Sequence, residues 1–318
     1  MLRVEGLNVT FPEGQAVRGA GLVLAPGDRL GIVGESGSGK TLLGLSLLGM
    51  APEAAQVSGS IRLEDAELVS ASERQLRRLR GRRVAMVFQE PLSALNPLRR
   101  VGDLIGEPLR VHLRLSRRAA RARALELLEE VGLPEPEARL RQFPHELSGG
   151  QRQRVMIALA LACDPVLLIA DEPTTALDAA VAVRILELLA RLSEKRGMGL
   201  ILISHDLTAI ARVTSRLAVM YGGDIVEAGP TAALLEDPQH PYTKGLIAAR
   251  PRLDPDRDRR RPLATIPGSV PPLGQLPQGC RFAGRCTVEL GHCSRSRPEL
   301  VAVKRGGAAA CLHLEAEP

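Results

Sequence analysis

The sequence predicts an α/β fold centred on a phosphate-binding loop, and three observations predict it. Residues 34–41 read GESGSGKT and fit the pattern G-x-x-x-x-G-K-[ST]. The stretch before them, RLGIV, has the apolar character of a buried strand, and residues 42–50 after them form an apolar helical run. Two further apolar runs, 166–170 and 200–203, end abruptly in polar residues. Parallel strands end this way at the carboxyl edge of an open sheet, where ligands sit.

Each part of the central loop has a physical reason. The small residues Gly34, Ser36, Gly37, Ser38 and Gly39 let backbone N–H groups turn inward around phosphate oxygens, and the helix that follows adds its positive end. Glu35 and Leu42 complete and flank the stretch. Lys40 can reach the β- and γ-phosphates, and the Thr41 hydroxyl can ligate Mg²⁺.

Composition narrows the class. The chain has 318 residues and is 45% hydrophobic, enough for one large domain or two smaller ones. With no Trp, two Tyr and four Phe, the core must be built from Leu, Val, Ile and Ala. The net charge of +6 suits nucleic acid or an anionic membrane, but the basic residues are interleaved with acidic ones and read as solvated surface. Aromatic residues alternating with basic ones, as base stacking needs, are missing. No run of eighteen apolar residues occurs, because 155–170 is broken by Asp164-Pro165, and MLRVEG lacks an apolar signal core. The expectation is a soluble, cytoplasmic chain whose five cysteines are reduced thiols or metal ligands.

Taken in order, residues 2–10 and 21–24 read as short strands, and Ala25-Pro26-Gly27-Asp28 as a turn. Phe11 lies between them and can stack on adenine or fill the core. Residues 58–69 suggest a strand pair and 73–83 an arginine-rich helix. Residues 84–88 form a short buried strand, and Gln89 puts a polar amide at its end. Residues 101–143 are helical in pattern, broken at Gly132-Leu133-Pro134, as an all-helical insertion over about 92–156 would be. LSGGQ at 147–151 opens a long helix whose first amides, around Ser148, Gly149 and Gly150, form a second anion site, with Gln151 next to them.

The apolar run 166–170 delivers Asp171 and Glu172 together. Adjacent carboxylates beside a core are costly unless used: Asp171 suits a Mg²⁺ shell and Glu172 suits a base that orients water, or the pair caps the next helix. Residues 174–178 read as a turn ending in Asp178, and 181–192 as a helix. The run 200–203 delivers His205 to the same edge, in a catalytic or sensing place. Residues 217–226 read as one or two edge strands, 238–246 as PQHPYTKGL, and 251–262 as a charged, proline-flanked linker. Residues 266–318 are too poor in apolar side chains to bury a large core alone.

In that tail, Cys280, Cys286, Cys293 and Cys311 are spaced C-x₅-C-x₆-C-x₁₇-C. The usual zinc-ribbon pair C-x₂-C is missing. Four such thiolates can hold Zn²⁺ or an iron–sulfur cluster, or remain unligated, and spacing does not choose. A metal would supply folding free energy to so small a tail. Cys163 reads as a small core residue.

Over residues 1 to about 250, these motifs in this order resemble the ATP-binding subunits of ABC transporters: Walker A at 34–41, Q-loop Gln89, signature 147–151, Walker B 166–171 with Glu172, D-loop 176–178 and H-loop His205. FQEPLSALNP (88–97), HPYT (240–243) and the cysteine tail further resemble the oligopeptide/dipeptide permease group. Ala182 departs from that group, where many members have Gln.

The resemblance implies a RecA-like P-loop NTPase core with an antiparallel β subdomain, the helical insertion, and a four-cysteine extension at 251–318. It implies ATP as substrate, with Mg²⁺ held through Thr41, Gln89 and Asp171. Glu172, His205, Gln89 and Lys40 take the catalytic roles, and Phe11 is the adenine platform. It also implies a head-to-tail dimer with a second ATPase subunit, identical or related. There the partner's equivalents of Ser148, Gly149, Gly150 and Gln151 cap the ATP, with Asp178 beside them. Two membrane permeases docking near residues 89–97, an extracytoplasmic solute-binding protein and a place on the cytoplasmic membrane face complete the expectation. Relatives with a [4Fe–4S] cluster on a similar cysteine set imply one here.

The imported solute is by default a di- or oligopeptide, with nickel or glutathione as alternatives. A soluble ABC-type ATPase acting on nucleic acid or ribosomes would favour two cassettes in one chain, a coiled coil or a basic arm, none of which is present. A regulatory module sensing redox or iron through the tail is the third class.

Overall fold

The structure, a computed structural model, describes residues 1–90, 94–250 and 265–315. Part of the loop after Gln89 and the charged linker expected at 251–262 lie outside the described residues.

Alternating apolar residues shape the first sheet. β1 (Leu2–Phe11) buries Leu2, Val4, Leu7 and Val9, and β2 (Gly14–Leu24) buries Val17, Ala20, Leu22 and Leu24. They pair antiparallel around a tight turn that sets Phe11 opposite Gly14. Both strands are longer than the two short strands expected, because register shifts at 4–7, 7–9 and 9–10 interrupt the strict alternation that marks a strand in sequence. β4 (Gln56–Leu63) and β5 (Ala66–Glu67) complete a sheet of order β2-β1-β4-β5.

The second sheet carries the apolar runs. β3 (Arg29–Val33), β6 (Val84–Val87), β7 (Leu167–Asp171), β8 (Gly199–Ser204) and β9 (Arg216–Tyr221) lie side by side and parallel in the order β9-β3-β8-β7-β6. Every residue of β6, β7 and β8 is buried, because both faces are covered. Ile32, Ile169 and Ile203 face the first sheet and α1 (Lys40–Ser46), which precedes α2 (Glu73–Leu79) in the chain. Val33, Ala170 and Leu202 face the helical layer.

That layer contains α3 (Val101–Leu113), α4 (Arg117–Glu130), α5 (Pro136–Arg139), α6 (Gly149–Ala160) and α7 (Ala179–Arg196). Sequence signals set the helix ends. Ser116 caps α4 by accepting from the Ala119 amide at 3.2 Å, and Gly197, with φ +59°, stops α7. After α8 (Leu207–Ala211), β9 does not form a sheet edge as 217–226 were expected to. It lies between β3 and the antiparallel strand β10 (Asp224–Pro230). The edge is built further on, beyond α9 (Thr231–Glu236) and α10 (Pro241–Ala248), by β11 (Val301–Val303) and β12 (Gly307–Ala309), which pairs with β10; α11 (Leu312–Glu315) follows.

The C-terminal segment thus borrows the core it cannot form itself. Phe282 is 4% exposed and packs edge-on against Tyr221, with Tyr242 and His240 beside it. Arg18 of β2 ties this segment down further, donating to Asp224 at 2.8 Å and to the carbonyls of Gln278 and Gly279 at 2.6 and 2.8 Å.

Candidate functional site

Strand order assembles the site. β8 lies between β3 and β7, and β6 follows β7, so four neighbouring carboxyl ends open on one edge. β3 delivers the loop 34–39, β8 delivers His205, β7 delivers Asp171 and Glu172, and β6 leads directly to Gln89. A cavity of about 680 Å³ lies there, lined by residues 35–42, Gln89, Glu172 and His205.

The loop is held where only glycine fits. A Cβ on Gly34 would stand 2.1 Å from the Met220 carbonyl oxygen, and one on Gly39 (φ +91°) would stand 2.6 Å from that of Ala16. The loop therefore runs between β2 and the β9–β10 turn. Among the described residues, the amides of Gly39, Lys40 and Thr41 have no protein acceptor, as an anion cradle at a helix start requires. The Lys40 side chain is almost fully buried. Its Nζ donates to the Gly34 and Glu35 carbonyls, both at 2.8 Å, and lies 3.3 Å from Ser38 Oγ. Burial pulls its pKa down, while Glu172, Asp171 and Glu35 work against that.

Opposite lies the carboxylate pair. Asp171 is 2% exposed, and its Oδ1 is buried without a hydrogen-bond partner among the described residues. Burial raises its pKa; the Thr41 hydroxyl and Lys40 offset part of that, and Glu172 adds to it. An orphaned carboxylate oxygen beside a hydroxyl is a donor set suited to a hard divalent cation, so Asp171 and Thr41 fit Mg²⁺. Gln89, exposed on the same cavity, can complete the shell. Glu172 is held in the left-handed region (φ +47°), its amide donates to the Ile203 carbonyl at 2.9 Å, and its carboxylate lies 2.9 Å from His205 Nδ1.

The remaining expected residues lie elsewhere. Ser148 caps its own helix, accepting from the Gln151 amide at 3.4 Å, while the Gln151 side chain accepts from the Ser148 amide at 3.0 Å. Gly149 and Gly150 pack on the helix start near Leu177 and Val181, and Asp178 caps α7 by accepting from the Val181 amide at 2.9 Å. None of these five lines the cavity, and Ser148 is exposed. Phe11 is half-buried against the β-sheet core and is not among the lining residues either. Glu35 lines the cavity, but its amide donates to the Tyr242 hydroxyl at 2.8 Å and its carboxylate meets Arg285, so neither group faces phosphate.

In the tail, the Cys280 amide donates to the Cys293 carbonyl at 2.8 Å. Burial pushes the Cys280 thiol up to about 11, with Cys293, Cys286 and Cys311 adding to the shift. All four are free thiols, and among the described residues no three His, Cys, Asp or Glu side chains stand in a metal-holding arrangement. The expected iron–sulfur cluster therefore does not follow from the side-chain geometry. Sequence reasoning missed Tyr242 and Arg285 as parts of the site. HPYT and GCRFAGRC marked their neighbourhoods without showing where they fold.

Comparison with known proteins fits this geometry. Residues 17–175 match the family model described as ABC transporter, and residues 226–293 match that described as oligopeptide/dipeptide transporter, C-terminal region. The chain is 44% identical over 326 aligned residues to a protein of Brucella melitensis named as a peptide import ATP-binding protein, covering 98% of this chain and 96% of the relative. It is 46% identical to the oligopeptide transport ATP-binding protein OppD of Mycobacterium bovis, covering 99% of this chain and 52% of that one. Among solved structures it is similar to a dimeric bacterial ABC transporter cassette, with 30% identity, a TM-score of 0.65 and coverage of 73% of this chain and 99% of the other. It is likewise similar to the ATP-binding cassette in a dimeric post-hydrolysis state bound to ADP and phosphate, with 29% identity, TM-score 0.65 and the same coverage.

Proposed function

This chain belongs to the ABC transporter family, and we propose from that premise that it is the ATP-hydrolysing subunit of an importer of di- or oligopeptides. The observation that carries the hydrolytic reading is the meeting of Lys40, Thr41, Glu172 and His205 around one cavity at one sheet edge, with the buried Asp171 bonded to Thr41. The relatives named for peptide import, and the match of 226–293 to the oligopeptide/dipeptide transporter C-terminal region, support the substrate class.

Each group has work suited to its place. The free amides at the start of α1 and the Lys40 ammonium hold the phosphates of ATP. Asp171 and Thr41 would hold Mg²⁺, which would supply charge neutralisation at the phosphates. Glu172 orients and polarises the attacking water, and His205 holds the Glu172 carboxylate and lies where it can reach the γ-phosphate. Gln89 lines this cavity and reports its occupancy to the helical insertion. Phe11 is the adenine platform.

The cavity leaves one side of the triphosphate open. A second cassette packed head to tail closes it with the exposed helix start at Ser148, Gly149 and Gly150, Gln151 and the nearby Asp178, and ATP becomes the joint between them. Loss of the γ-phosphate reopens the pair, and this closure drives two membrane permeases supplied by a solute-binding protein. Among the described residues no helix is long and apolar enough to cross a membrane, so translocation is assigned to those partners, with this chain at the cytoplasmic membrane face.

The test is uptake of labelled di- and oligopeptides by cells with and without this subunit. Loss of uptake on deletion is expected. Unchanged peptide uptake with lost nickel or glutathione uptake would overturn the peptide reading, and nucleic-acid-stimulated hydrolysis would overturn the transport reading.

A second reading concerns the extension. From the resemblance in cysteine spacing, and not from the side-chain geometry, we propose that Cys280, Cys286, Cys293 and Cys311 hold a [4Fe–4S] cluster. Protein purified without oxygen should be coloured and carry about four iron and four sulfide per chain. Colourless protein with stoichiometric zinc would replace the cluster by a zinc site, and metal-free protein of full stability would remove both.

A further inference from the structure

Behind the phosphate-binding loop, the C-terminal extension reaches the nucleotide site through one side chain. Arg285 lies next to Cys286 in sequence, and its guanidinium reaches the phosphate-binding loop. Its Nη1 and Nη2 donate to the two carboxylate oxygens of Glu35 at 3.0 and 3.3 Å, a two-pronged pair. Nη1 also donates to the Tyr221 hydroxyl at 3.1 Å, Nη2 to the Gly268 carbonyl at 3.1 Å, and Nε to the Pro267 carbonyl at 2.6 Å.

A guanidinium has five N–H donors, and these five contacts use all of them. The side chain is 7% exposed and lies against the rings of Tyr221 and Phe282. Arg285 thus has no donor left for a phosphate, and its role must pass through what it holds. Glu35 is the second residue of the loop. Its amide is fixed by the Tyr242 hydroxyl, and its carbonyl accepts from Lys40 Nζ. Arg285, Glu35 and Lys40 therefore form a continuous chain of contacts from the extension to the phosphate-binding lysine.

We propose that Arg285 is a positioning residue for ATP binding, fixing the phosphate-binding loop and Lys40 through Glu35 with Tyr242 as the second anchor. The proposal rests on the reading of this cavity as an ATP site. Arg285→Gln removes the fork. Glu35→Gln is isosteric, keeps the amide and carbonyl contacts, and leaves the extension untouched. Arg285→Lys keeps the charge but cannot make the two-pronged pair.

In the full-length chain, steady-state hydrolysis and binding of a fluorescent ATP analogue are measured alongside melting temperature. Each variant should raise the KM for ATP and weaken analogue binding roughly tenfold, the change about 1.4 kcal/mol produces, with kcat at saturating ATP within about twofold. The double variant Arg285→Gln with Glu35→Gln should be no worse than the poorer single one, because one link is broken either way. Unchanged KM in Glu35→Gln, additive losses in the double variant, or a lower melting temperature with unchanged KM would overturn the positioning role. Wild-type protein that binds no ATP would instead overturn the ATP-site reading itself.

Discussion

Glu172 sits in a conformation that side chains seldom adopt. Its φ of +47° is left-handed, and Pro173 after it restricts its backbone further. The cost is met by the amide bond to Ile203, by burial and by the 2.9 Å contact with His205, which together aim the carboxylate into the cavity. A residue held this way beside an orphaned Asp171 oxygen fits the proposed catalytic role. Glu172→Gln preserves shape and hydrogen bonding but cannot take a proton. It should retain ATP binding and lower kcat roughly 10²- to 10⁴-fold, the range for losing a general base. Normal turnover in that variant would remove Glu172 from the role. Asp171→Asn should weaken ATP binding in Mg²⁺ much more than without it, read by analogue titration with and without the ion.

At the scale of elements, the turn into α10 shows how a short motif anchors a distant site. His240 is 1% exposed, and its Nδ1 accepts from the Tyr242 amide at 3.0 Å, so the ring is neutral and caps the helix. Glu227 of β10 accepts from the Gln239 and His240 amides at 2.7 and 3.0 Å, pinning the turn to the sheet. The outcome is a fixed Tyr242 hydroxyl at Glu35.

Burial pushes the His240 pKa down to about 3, with Lys244 adding to the effect, so acid must protonate a ring that the fold holds neutral. A depressed histidine is unprotonated in the native state and protonated in the unfolded chain between pH 6.5 and 3. Its contribution is therefore full above pH 6.5 and is lost as pH falls through that window. Between pH 7 and pH 5 the wild type should lose about 2 kcal/mol from this group. His240→Asn keeps a capping acceptor and should flatten that part of the slope in denaturant unfolding. Glu227 contributes to both proteins, so the difference isolates the imidazole. Parallel slopes would show that His240 carries none of it.

At the scale of the whole molecule, the exposed helix start at Ser148 and the cavity at Lys40 are separate features of one chain. The proposed head-to-tail pairing with a second cassette brings two such features together around one ATP. Ser148→Arg places bulk and charge on the closing surface without touching the cavity. In a Glu172→Gln background it should keep ATP-analogue binding yet abolish ATP-dependent dimers in sedimentation. Dimers that persist would show that closure uses another surface.

The amino-acid sequence by itself determined the phosphate-binding loop, the carboxylate pair, His205, the helical insertion and the α/β class. These depend on spacing within a few residues and on apolar runs, which are local properties. Tertiary structure alone decided that β9 is interior, that the tail completes the sheet edge through β11 and β12, and that Arg285 grips Glu35 across 250 residues of chain. No local pattern encodes such a pairing. It exists because three aromatic side chains far apart in sequence, Tyr221, Tyr242 and Phe282, must share one buried place to leave water, and the arginine arrives with them.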